Sequence, residues 1–78
     1  MKLKYESEYR QLGLKIAYYR KYRGLTQEQL AEKIEKSPAF IGHVEAPNIN
    51  KAVSLDTLFD IAAALDIPIN KFLILEDD

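Results

Sequence analysis

Seventy-eight residues without a cysteine, 47% apolar and 29% charged, describe one small soluble domain and exclude disulfide frameworks, thiolate metal sites and thiol nucleophiles. At this length folding hides only roughly 60–65% of the unfolded chain's surface, so stability must come from compact helix packing. No apolar run reaches the ~20 residues of a bilayer span and no signal-peptide core is evident, so a reducing cytoplasm is expected, while a net charge of −1 taken whole counts against a polyanionic partner.

The first helix is predicted over about 5–23, where Tyr5, Tyr9, Leu12, Ile16 and Tyr19 recur at steps of four and three. Gly24 follows, at a place suited to a left-handed cap. Thr26-Gln27-Glu28-Gln29 is a capping box that opens a second helix over 26–34, with Leu30, Ala31 and Ile34 inward. Ser37 caps a third helix over 37–45, Pro38 takes its first position, and Ile41 and Val44 face the core. Residues 46–53 read as a loop, broken by Pro47, Asn48 and Asn50. Ser54 caps a fourth helix over 54–65, with Leu55, Leu58, Ile61, Ala62 and Leu65 on one stripe. Ile67-Pro68 interrupts, a short fifth helix is predicted over 68–75, and residues 76–78 should fray. No segment alternates with period two, so the fold class is all-α, a single domain over 1–78.

The charge is unevenly distributed. Residues 1–36 carry nine Lys/Arg against five acids, giving +4, and residues 37–78 carry two against seven, giving −5. The sum is −1, but the pattern is polar, with a basic working face and an acidic back as the expectation.

The stretch TQEQLAEKIEKSPAFIGHVE (Thr26 to Glu45) resembles the helix-turn-helix of the lambda-repressor-like (Cro-type, xenobiotic-response-element type) DNA-binding family. LGLKIAYYRKYRGLTQ before it (Leu12 to Gln27) and SLDTLFDIAAALDIPINKFL after it (Ser54 to Leu73) extend the likeness to about 60 of the 78 residues. The resemblance implies a compact five-helix domain in which helices two and three form the helix-turn-helix and helix three enters the major groove, usually in a symmetric dimer. It also implies a phosphate contact for Gln27, whose place at a helix N-terminus independently favours an anion. Arg20 and Glu45 match positions that form a partly buried ion pair, a scaffold role. Lys36, with Lys15, Lys21 and Arg23, adds candidates for phosphate neutralisation.

Helix three should expose Pro38, Ala39, Phe40, Gly42 and His43, with Ser37 at its start. His43 is the one polar side chain placed to donate to guanine N7 or O6; Ala39 can touch a thymine methyl and Pro38 contributes shape. Phe40 reads either as an apolar wedge toward thymine methyls or as a contact for a protein. Glu35 and Asp66 stand where the family favours glycine, in left-handed backbone. Asn48, Asn50 and Lys51 can reach phosphates from the loop, or merely connect. His43 lacks neighbouring ligands at metal-site spacing, and no cofactor is expected.

Phe72, Leu73, Ile74 and Leu75 exceed what one short helix can bury: the core should take Phe72 and one neighbour, and among these four the remainder is expected to form a homodimer seam. Leu14, Tyr18 and Tyr22 form a second apolar stripe. Two functions compete: a sequence-specific transcription regulator, repressor-like, on double-stranded DNA, or a protein-interaction module, such as an antitoxin facing its toxin, on the same scaffold. Catalysis is not expected: the chain has one histidine and no glycine-rich phosphate loop.

Overall fold

The computed structural model describes residues 4–49 and 51–76. Its four helices are α1 (Glu6–Tyr22), α2 (Gln27–Lys33), α3 (Pro38–Glu45) and α4 (Leu55–Leu65), followed by a single 3-10 turn, Ile69–Lys71. No strand occurs among the described residues. Local chemistry explains the starts. Thr26 Oγ1 accepts from the amide of Gln29 at 3.0 Å while Gln29 Oε1 accepts from the amide of Thr26 at 2.9 Å. Ser37 and Ser54 likewise accept from the amides of Phe40 and Thr57, each at 3.1 Å. Three left-handed residues shape the stops: Gly24 (φ 74°) beyond α1, Glu35 (φ 57°) beyond α2 and Asp66 (φ 53°) beyond α4.

The inward faces of all four helices meet in one core, in which Ile16, Leu30, Ile41, Ile61 and Phe72 are fully buried. Gly13 sets the approach of α1 to α3, since a Cβ there would collide with the carbonyl oxygen of Val44. Arg23 joins the end of α1 to the end of α4, donating from Nε to the carbonyl of Leu65 at 2.8 Å and from Nη2 to that of Asp66 at 2.9 Å. Those carbonyls lack partners within the helix, and a cation suits that pole.

Three expectations need correction. The fifth helix over 68–75 is only the 3-10 turn, so the domain has four helices and not five. A helix that short is costly to nucleate. Gln11 supplies the alternative: its Oε1 accepts from the amide of Glu76 at 2.7 Å, and its Nε2 donates to the Glu76 carbonyl at 2.9 Å. The same bonds hold Glu76 against α1, contrary to the fraying expected there; Asp77 and Asp78 lie outside the described residues. Tyr5 and Leu55 fall on the predicted core stripes, yet both are exposed. Leu55 shares its side of α4 with exposed Phe59 one turn on, while buried Thr57 completes the inward arc. Tyr5 precedes the first turn of α1 and lines the rim of an open groove with Leu55, Leu73 and Leu75. Phe72 is fully buried with its ring edge-on to Tyr19, centroids 5.3 Å apart, so the core takes it as expected, and of the four residues considered for the seam Leu73, Ile74 and Leu75 are left.

Candidate nucleic-acid interface

The turn between α2 and α3 orients the outer surface. Left-handed Glu35 reverses the chain, Lys36 donates its amide to the Ala31 carbonyl at 2.9 Å, and the Ser37 cap then starts α3. Ile41, Val44 and Glu45 fill the inner side of α3. Pro38, Ala39 and His43 stand exposed on the other, with Lys36 and Ser37 exposed at its start. Phe40 and Gly42 differ from expectation, being only half exposed. Gly42 faces α2: a Cβ there would sit 3.5 Å from Gln27 Oε1. Phe40 packs against the core's edge because its position falls between the inner and outer arcs.

Behind this surface lies a network joining α1, α2 and α3. Arg20 Nε donates to Glu45 Oε2 at 2.7 Å, its Nη2 to Oε1 at 2.9 Å, and its Nη1 to the Leu25 carbonyl at 2.7 Å. This fork geometry is the strong form of the arginine–carboxylate pair. The hydrogen bond to Glu45 raises the pKa of Arg20 above its already high ordinary value, against the lowering effect of burial. Gln27 Nε2 donates to Glu45 Oε1 at 3.0 Å. That uses one of its two amide hydrogens and fixes the side chain at the start of α2, beside Gly42 of α3.

The cationic candidates separate. Lys36 and Lys51 reach the same ring although they lie before and after α3: the ammonium of each is 5.5 Å from the centre of the Phe40 ring. Asn48 and Lys51 are exposed on the loop after α3, whose Pro47 carbonyl accepts from Arg10 Nε at 3.2 Å; Asn50 lies outside the described residues. Arg23 is instead committed to the carbonyls closing α4. Lys15 lines a shallow groove on the outer side of α1 with Tyr18, Gln11 and Glu76.

Sequence reasoning overlooked Gly13 and the bonding of Arg23. A glycine within an otherwise strong helical pattern was the available signal for the first; nothing local marks the second. Leu73 and Ile74 remain exposed and Leu75 half-exposed; Leu73 and Leu75 line a groove of about 280 Å³ with Tyr9, Val53, Leu55 and Leu58. Leu14, Tyr18 and Tyr22 are exposed too, the two tyrosine rings stacked at 6.5 Å. Among the described residues no three His, Asp or Glu side chains converge as metal ligands. No described helix is long and apolar enough to cross a membrane.

Comparison with known proteins agrees with this geometry. The helix-turn-helix family model matches residues 16–72. The clp gene regulator ClgR from C. glutamicum is similar in structure, with a TM-score of 0.78 and 28% identity over 86% of this chain and 84% of that one. The restriction-modification controller protein C.AhdI from Aeromonas hydrophila has a TM-score of 0.80 and 27% identity, over 90% of this chain and 99% of its own. No curated protein matches the sequence significantly.

Proposed function

Because the chain belongs to the helix-turn-helix family, we propose that this DNA-binding transcriptional regulator acts in the cytoplasm as a repressor-like homodimer, with α3 in the major groove. The supporting observation is the outer side of α3. Pro38, Ala39 and His43 are exposed there, Gln27 adjoins it, and Lys36 and Lys51 stand at its edge. His43 reads a base edge, Ala39 and Pro38 supply apolar contact and shape, and Gln27, Ser37, Lys36, Asn48 and Lys51 meet phosphates. Gly42 keeps α3 close to Gln27. The polypeptide performs no chemistry on the nucleic acid; occupancy of the site is the regulatory event.

Leu73, Ile74 and Leu75 supply the dimer seam in this reading, and a two-fold axis there would present two copies of α3 to half-sites about 10 base pairs apart. Selection of bound duplexes from a random pool, with salt titration, tests it. Enrichment of a two-fold symmetric sequence, and affinity falling steeply with salt, are expected. No binding at ~50 mM salt would instead leave a protein partner, such as a toxin, as the occupant of this scaffold, a reading that the exposed Leu14, Tyr18 and Tyr22 favour.

A further inference from the structure

Phe40 is the one large apolar side chain of α3 outside the fully buried set, and its ring has two cations beside it. Lys36 reaches it from the turn before α3 and Lys51 from the loop after, each ammonium at 5.5 Å from the ring centre. That distance lies within the range of cation–π attraction. Among the described residues the salt bridges are Arg10–Glu6 and Arg20–Glu45, so neither lysine has a carboxylate partner. Two like charges drawn to one ring repel each other. An anion that both can touch relieves that repulsion, and free ammonium groups suit a phosphate as strongly hydrated point charges.

We propose that Phe40 is a positioning residue that gathers Lys36 and Lys51 into a two-cation site for the phosphodiester backbone at the edge of the groove α3 enters. The assignment rests on the DNA-binding reading above and gives Phe40 a role apart from base readout. The ring is half-buried against the core, and Ser37 fixes its backbone amide. A thymine methyl approaching it would have to displace hydrated ammonium groups. Ordering two long side chains before contact reduces the freedom lost on binding, so the ring contributes without touching DNA.

The test is a double-mutant cycle, with duplex affinity measured by fluorescence anisotropy between ~50 and ~200 mM salt. Lys36→Gln/Lys51→Gln should lower the log–log salt slope by about 1.8, since each phosphate neutralised contributes about 0.9. Phe40→Leu should weaken binding to all sequences by roughly two- to five-fold, the scale of exposed cation–π pairs, and should have almost no effect in the double-glutamine background. Phe40→Tyr, which keeps the ring face, should restore wild-type affinity. In the free protein, ring-current shifts of the Lys36 and Lys51 ε-methylene protons should be present and should vanish in Phe40→Leu. Equal losses in both backgrounds, a changed preference at one base pair, or absent ring-current shifts would each overturn the assignment while leaving the regulator intact. A wild-type chain that bound no duplex at ~50 mM salt would bring down the regulator reading and the phosphate site together.

Discussion

Arg20 and Gln27 meet on one oxygen of Glu45, the guanidinium at 2.9 Å and the amide at 3.0 Å. The carboxylate thus couples a residue of α1 whose work is structural to a residue of α2 proposed to touch DNA. Their substitutions should separate cleanly by readout.

Arg20→Ala leaves a buried carboxylate with only Gln27 to meet it. Breaking such a pair costs about 3–5 kcal/mol, against a total of roughly 4–12 kcal/mol for a domain of this size. A melt should show that loss, with sequence preference unchanged in whatever fraction remains folded. An unaltered melting temperature would refute the scaffold role. The pair's pH behaviour follows from the raised pKa of Arg20. The arginine contribution is complete below the unfolded pKa and is lost only as pH rises through the higher folded value, so melts between about pH 6 and 9 should show no arginine-dependent slope.

Gln27→Ala removes one hydrogen bond to a charged group and a proposed phosphate contact. Stability should fall by about 1–2 kcal/mol, and affinity by roughly five- to ten-fold for every duplex alike. A change confined to one sequence in a binding-site selection would place Gln27 among the base readers instead.

His43→Ala should do the reverse. Its exposed position on α3 makes its removal nearly neutral in a melt. Discrimination at a single base pair should relax by about 1–3 kcal/mol. Selection profiles of the two proteins, aligned position by position, would reveal it.

Gly13→Ala sets two effects against each other. Alanine's better helix propensity gains about 1 kcal/mol, but the new Cβ runs into backbone at Val44, which cannot rotate aside. Overpacking against rigid atoms costs more than that gain, so denaturant titration should show a net loss of at least ~1–3 kcal/mol.

Glu35→Gly should stabilise. The residue holds φ 57°, a conformation that carries a cost of about 1–2 kcal/mol for a side chain with Cβ. Glycine removes that strain but adds unfolded-state entropy, leaving a gain of up to ~1 kcal/mol in a thermal or denaturant melt.

Much of the fold was legible because its signals are local. Thr26 with Gln29, Ser37 with Pro38, and Ser54 each announce a helix within four residues, and the inward residues of α2 and α3 follow from the 3.6 period. What escaped depends on contacts distant in sequence. The closing segment forgoes a helix because Gln11 takes the polar groups of Glu76, a partnership no window of the sequence contains. Arg23 reads as one more surface cation until α4 ends beside it. Within the candidate site, the exposure of Pro38, Ala39 and His43 follows from helical phase, whereas the convergence of Lys36 and Lys51 on Phe40 needs the loop's path.

Gly13 also bears on how such a protein changes over evolutionary time. The tilt of α3 is set from behind, by backbone resting on backbone and by Ile41, Val44 and Glu45, while Pro38, Ala39 and His43 bear no part of that load. Exchanges at Ala39 and His43, which unlike Pro38 take no part in starting the helix, can therefore be sampled without disturbing the frame. Target preference is free to drift between lineages, and a duplicated copy could acquire a separate set of sites while inheriting an unchanged chassis.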